Sequence, residues 1–152
     1  MKIAVACDHR GYDAKRKLLP VLSQLNHQVE DFGCESTASV DYPDFAIPAA
    51  KAVGSGACEL GILLDGSGIG MSVAANKVRG VRAALCHDEV TAVRAREHNH
   101  CNILCLGSDL LSEEQIKQVV IIFLATGFGD GRHIRRVDKL SQFESNEQPL
   151  PK

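Results

Sequence analysis

No apolar run in this chain approaches the roughly 18 residues that cross a bilayer as a helix, which argues against a membrane anchor. No Cys-x-x-Cys pair occurs among the 6 cysteines, so zinc-ribbon and thioredoxin-like motifs are excluded. A large net charge is missing as well: 17 Lys and Arg stand against 19 Asp and Glu, −2 overall. That balance supplies no electrostatic reason for nucleic acid or an anionic membrane as partner. Residues 1–7 turn polar too soon for a secretory signal. There is no internal repeat, no low-complexity segment, no Gly-Lys-Ser/Thr ending of a P-loop, and no dinucleotide fingerprint behind the first strand.

What remains is an ordinary globular composition, 45% hydrophobic and 24% charged. One domain of 152 residues is long enough to bury about two-thirds of its unfolded surface. Several cysteines (Cys7, Cys86, Cys105) sit in apolar runs, where a free thiol behaves as a small hydrophobe. With Cys34, Cys58 and Cys101 they are expected to be reduced thiols of a cytoplasmic protein.

Apolar runs alternate with helical periodicity. Residues 3–7, 29–32, 61–64, 81–86 and 102–106 read as strands. Residues 12–25, 43–53, 68–77, 88–97, 112–124 and 132–143 read as helices. Asp88 is placed as an N-cap, and Ser112-x-x-Gln115 as a capping box. Pro20 and Pro48 conflict with two of these helices, because an interior proline removes a hydrogen bond. Residues 145–152, with two prolines and no periodicity, read as a loose tail behind a domain of residues 1–144. The alternation implies an α/β fold with parallel strands and helices on both faces. In such sheets ligands bind beyond the carboxyl ends of the strands.

That rule singles out Asp65-Gly66-Ser67-Gly68-Ile69-Gly70. A buried strand ends in a carboxylate and a glycine-rich turn opens the next helix. Backbone N–H groups can converge on an anion there, with a carboxylate alongside to move a proton. The plainer reading is a tight turn with an aspartate cap. Asp8 and His9 follow the first strand; a solvated loop pair is the plain alternative, and their position at a strand's carboxyl end tips them toward a ligand contact. Tyr42, in Asp41-Tyr42-Pro43, packs or touches ligand. His98 and His100 lack a third partner at metal-ligand spacing, so no metal is expected. Arg132 and Arg136 share one helix side and suit a phosphate, although such clusters are commonly solvated.

Cys7-Asp8-His9-x-Gly11, Asp41-Tyr42-Pro43, the 65–70 loop with Ala74-Ala75-Asn76-Lys77, Arg96-Glu97-His98-Asn99 and Arg132-His133-x-x-Arg136 occur in this order. The ordered set, over residues 1–144, resembles the type B ribose-5-phosphate isomerases and the galactose-6-phosphate isomerase subunits. The resemblance implies a Rossmann-like three-layer sandwich around a five-stranded parallel sheet. It also implies homodimers, often paired into tetramers, with active sites at the subunit interface. The implied reaction interconverts aldose and ketose phosphates through a cis-enediolate, with no metal or other cofactor. His98 would assist ring opening, and Asp8, Tyr42 and Asn99 would touch sugar hydroxyls. His9, Arg132 and Arg136 would face the phosphate, and the backbone of Gly66, Gly68 and Gly70 would stabilise the enediolate. Ser67 joins Asp65 and His98 as a candidate catalytic residue.

Two positions depart from that pattern. Many relatives carry a catalytic cysteine where this chain has Asp65, and another branch has glycine there with a glutamate at the position of Met71. Asp65 is the ionisable residue of the two here, so it is the expected base. Asp109 stands where relatives commonly carry a phosphate-holding arginine, which leaves the identity of the sugar open. Rival readings are a non-catalytic sugar-phosphate-binding protein, an isomerase of another or unphosphorylated aldose, and an aspartyl nucleophile in phosphoryl or acyl transfer.

Overall fold

The computed structural model describes residues 1–146. In chain order its elements are β1 (Lys2–Cys7), α1 (Tyr12–Gln24), β2 (Gln28–Asp31), α2 (Pro43–Gly54), β3 (Leu60–Asp65), α3 (Ile69–Ala75), β4 (Ala83–Leu85), α4 (Glu89–Asn99), β5 (Ile103–Gly107), α5 (Glu113–Ala125) and α6 (Arg132–Asn146). All strand pairs are parallel, in the order β2-β1-β3-β5-β4. The expected α/β fold with a five-stranded parallel sheet is the fold found.

Side chains alternate across the sheet as strand geometry requires. Ile3, Val5, Leu60, Ile62, Leu64, Leu104 and Leu106 meet Leu18 and Leu22 of α1, Ala92 and Ala95 of α4, and Ile116, Val119 and Phe123 of α5. Ala4, Ala6, Leu63, Ile103 and Cys105 meet Ala46, Ala49, Ala50 and Val53 of α2 and Met71, Ala74 and Ala75 of α3. The second layer is built largely of alanine, which lets α2 and α3 lie close to the sheet. Each large core side chain buried this way, such as Phe123, contributes about 1.5–3 kcal/mol.

Both disputed prolines lie inside helices, Pro20 in α1 and Pro48 in α2. Pro20 and Pro48 are exposed, and so are Arg16 and Asp44 four residues before them. Both prolines thus lie on the exposed side of their helices, where water can reach a carbonyl that lost its amide partner. Asp88 and Ser112 cap α4 and α5 with reciprocal bonds, the box partner of Asp88 being Thr91. β4 is shorter than expected, three residues at a sheet edge. Of the tail expected at 145–152, Ser145 and Asn146 continue α6; the rest lies outside the described residues. Among the described residues no helix is long and apolar enough to cross a membrane.

One close approach brings β5 under the loop that follows β3. A Cβ on Gly107 would stand 2.7 Å from the backbone carbon and oxygen of Ser67. We expect Gly107→Ala to cost about 1–3 kcal/mol, as overpacking does, and urea unfolding would measure it. A wild-type midpoint would show that the two segments are not in contact.

Candidate active site

In an open parallel sheet the ligand crevice lies where successive connections leave in opposite directions. Here that point is between β1 and β3: the chain goes from β1 outward to β2 and returns to the far side of β1 to lay down β3. Asp8 and Asp65 close these two strands. Both are buried, at 6% and 5% exposure.

The Asp65 carboxylate sits inside the turn that follows it. Its Oδ1 accepts the N–H groups of Ser67 (3.0 Å) and Gly68, and its Oδ2 accepts that of Met71 (3.1 Å). Gly68 makes this turn at φ 79°, a conformation that costs glycine nothing and an L side chain a good deal. The carboxylate thus occupies part of the amide cradle that the sequence suggested for a ligand. The amide of Ile69 is directed to Ser67 Oγ (3.2 Å). The amides of Gly66 and Gly70 make no such bond among the described residues.

Gly70 is tightly packed. A Cβ there would lie 3.1 Å from Asp65 Oδ2 and 3.1 Å from the ring carbons Cε2 and Cζ of Tyr42. Tyr42, 37% exposed, is the residue just before α2, and its ring packs on Gly70 as does the carboxylate oxygen that takes one amide bond. On the other side, Asp8 Oδ1 accepts from the backbone of Arg10 (2.8 Å) and Gly11 (3.1 Å). His9 Nδ1 accepts from the Val40 amide (3.3 Å), so its proton is carried on Nε2. Ser108 Oγ lies 2.7 Å from the Asp65 carbonyl and 3.0 Å from that of Arg10, joining the loops after β1, β3 and β5. Asp109 does not stand as a bare charge, because Arg10 donates to its Oδ2 through Nε (3.0 Å) and Nη2 (2.6 Å). Ser108 and Arg10 were not singled out from sequence. Ser108 follows the end of β5 and so falls under the same strand-end rule.

The remaining candidates are elsewhere. α4 starts at the carboxyl edge and runs back beside the sheet, so His98 lies about 15 Å along the helix from the cap at Asp88, at 1.5 Å per residue. The start of β5 confirms the return: the Asn102 amide meets the Arg82 carbonyl just before β4. At this far end His98 stacks on His133 (ring centroids 4.3 Å apart, planes within 5°). Arg132 and Arg136 lie in the field of His133 and are exposed, as is Asn99. The buried Nδ1 of His133 has no hydrogen-bond partner. One chain therefore carries two groups of candidate residues at opposite ends of α4. Asp8, His9, Tyr42 and the 65–70 loop form one; His98, Asn99, Arg132 and Arg136 form the other. Among the described residues no three His, Cys, Asp or Glu side chains group as a metal site.

Comparison with known proteins identifies this architecture. A model of the ribose/galactose isomerase family matches residues 3–140. The chain belongs to that family. It is 38% identical to ribose-5-phosphate isomerase B of Escherichia coli over 143 residues, covering 94% of this chain and 96% of that one. The structure of Clostridium thermocellum ribose-5-phosphate isomerase B superposes with a TM-score of 0.93 at 43% identity, covering 95% and 98% of the two chains. That of the Mycoplasma genitalium enzyme, solved with ribulose-5-phosphate bound, does so with 0.92 at 40% identity, covering 96% and 97%.

The far-end histidines also set a pH dependence. Burial first, then Arg82 and Arg96, hold His100 below the ordinary histidine value. The unfolded chain thus takes up a proton before the folded one does. The stability involved is complete above the unfolded value of about 6.5 and is lost as pH falls through it toward the folded value. His100 ends α4 at φ 49°, which asparagine tolerates. His100→Asn is expected to flatten the decline in unfolding free energy between pH 7.5 and 5.5. An unchanged slope would assign that decline to other groups.

Proposed function

We propose that this protein interconverts an aldose phosphate and its ketose phosphate, by default ribose 5-phosphate and ribulose 5-phosphate, with side chains and no metal as acid and base. The observation that carries this reading is a buried carboxylate at the sheet's switch point, Asp65, whose Oδ2 takes a single amide bond and packs, like the Tyr42 ring, against Gly70. Family membership and the relative solved with ribulose-5-phosphate supply the substrate class.

Isomerisation moves a proton between C2 and C1 and needs help where negative charge gathers on oxygen. Asp65 Oδ2 removes the C2 proton and returns it to C1. Three amide donors keep that carboxylate from turning away, so Oδ2 stays held against Gly70. The amides of Gly66 and Gly70 then serve the enediolate oxygens, with the Ser67 hydroxyl beside them. Asp8 and Tyr42 take sugar hydroxyls, and His9 faces the phosphate end.

The far-end group joins through a second copy. His98 of one chain assists ring opening at the Asp65 of the other, with Asn99 on a hydroxyl and Arg132 and Arg136 on the phosphate. Two features support a dimer. Neither group holds a complete site, and α6 leaves Ile134, Leu140 and Phe143 exposed while burying Val137 alone. The six unpaired, buried thiols suit a reducing cytoplasm.

The defining experiment is turnover in deuterium oxide. Deuterium at C1 or C2 of ribose 5-phosphate demonstrates enediolate chemistry, and phosphate release would mean a hydrolase. Binding with neither would mean a receptor, the reading favoured by the amides already committed to Asp65. Asp65→Asn should keep ligand binding and lose at least about a hundredfold in kcat, in line with removal of a general base. Mixing Asp65→Asn chains with His98→Asn chains should restore about a quarter of wild-type activity. Half of randomly paired dimers are mixed, and each mixed dimer has one intact site of two. No recovery on mixing would place both residues in the same chain's site.

Burial also leaves the thiols inert. It pushes Cys7 and Cys86 up to about 12 and Cys101 up to about 11. Native activity is therefore expected to survive iodoacetamide at pH 8, and to survive EDTA. Rapid inactivation mapped to Cys7 would assign the chemistry to a thiol.

A further inference from the structure

The Arg10–Asp109 pair lies at the mouth of the 65–70 loop. A Cβ on Gly66 would stand 2.7 Å from Asp109 Oδ2 and 3.6 Å from Arg10 Cβ, so the pair covers the residue that follows Asp65. Its backbone anchors are stiff: Asp8 holds the Arg10 amide, and Ser108 links the Arg10 and Asp65 carbonyls. The charged ends are looser. Arg10 and Asp109 side chains are 57% and 42% exposed.

The geometry of the pair is one-sided. Nε and Nη2 both donate to the same oxygen, Oδ2, rather than forking across both carboxylate oxygens as the strongest arginine–carboxylate pairs do. An exposed pair of this kind is weak and screened by salt. A phosphate dianion offers three oxygens and more charge, so it competes for the same guanidinium. While Arg10 stays on Asp109, the rim presents a neutralised cation. When it leaves, Asp109 becomes a bare carboxylate beside an anionic ligand.

We propose that Arg10 recognises the anionic end of the substrate and that Asp109 competes with the ligand for it, so that this pair sets how strongly the site selects a phosphorylated over an unphosphorylated sugar. The proposal rests on the sugar-phosphate reading above. It assigns a role to a residue outside the two groups of site side chains already described, and it makes Asp109 a restraint on affinity.

The test uses the full-length protein with inorganic phosphate as calorimetric probe and ribose 5-phosphate as substrate. Asp109→Asn keeps shape and removes the competing charge. It should tighten phosphate binding about threefold or more, the scale of an exposed charge interaction, and lower KM for ribose 5-phosphate by more than it alters kcat. Arg10→Gln should weaken phosphate binding about tenfold, the scale of a lost charge-assisted contact. In the Arg10→Gln background, Asp109→Asn should give a smaller gain. Arg10→Lys, keeping charge without the fork, should fall between. Phosphate affinity unchanged in Arg10→Gln, or weakened in Asp109→Asn, would overturn the proposal, as would a wild type that binds no phosphate at millimolar concentration. The two readings fail separately. A wild type that binds phosphate and shifts with both variants but isomerises no sugar phosphate removes the proposed reaction and leaves Arg10. A wild type that isomerises but whose phosphate affinity ignores both variants removes Arg10 and leaves the reaction.

Discussion

A carboxylate at the end of a fully buried strand is held by the backbone of the turn it begins. Asp65 ends β3 with its side chain 5% exposed, a position in which an unpartnered charge would cost several kcal/mol. The amides of Ser67, Gly68 and Met71 compensate it. In doing so they fix the left-handed turn at Gly68, the start of α3 and the direction of Oδ2. The tight packing at Gly70, the close approach of Gly107 and the link through Ser108 are all arranged around that turn. A carboxylate that caps a helix and still offers one lone pair combines the structural and the chemical reading of the same residue.

The parallel sheet imposes the second constraint. Every crossover helix runs from the carboxyl edge back to the amino edge, so residues late in α4 are carried away from residues at strand ends. His98, stacked on His133 beside Arg132 and Arg136, is a helix length from Asp65. No side-chain rotation closes such a gap. In the proposed dimer this separation has a use, because it puts cations and a histidine on the outside of each chain where a second copy can receive them. α6, with one buried residue among fifteen, supplies an apolar face at the same end.

Charge is arranged with comparable economy. Asp109, which by resemblance alone would repel a phosphate, is found against Arg10, and the two lie over Gly66. A position occupied by one sign of charge has its neighbour supply the other. Lys15 gives a buried counterpart: its ammonium meets both oxygens of Asp31 and the Cys34 carbonyl, anchoring the start of the loop that leads to Tyr42.

Much of this was legible in the chain's residues. Strand and helix alternation, the N-cap at Asp88, the capping box at Ser112 and the glycine loop after β3 are local signals, written by periodicity and by side chains that bond neighbouring amides. The ordered motifs carried the family, because each is a short contiguous run. The local reading was weakest where long-range context decides: Pro20 and Pro48 stand on exposed sides of their helices, and β4 shortens at a sheet edge. Which amides Asp65 takes, that Arg10 neutralises Asp109, and that His98 and Asp65 lie at opposite ends of a helix were settled by tertiary structure. Those facts depend on residues up to a hundred positions apart meeting in space, and hydrophobic periodicity, which reports only which face of an element is buried, carries no record of which partners meet there.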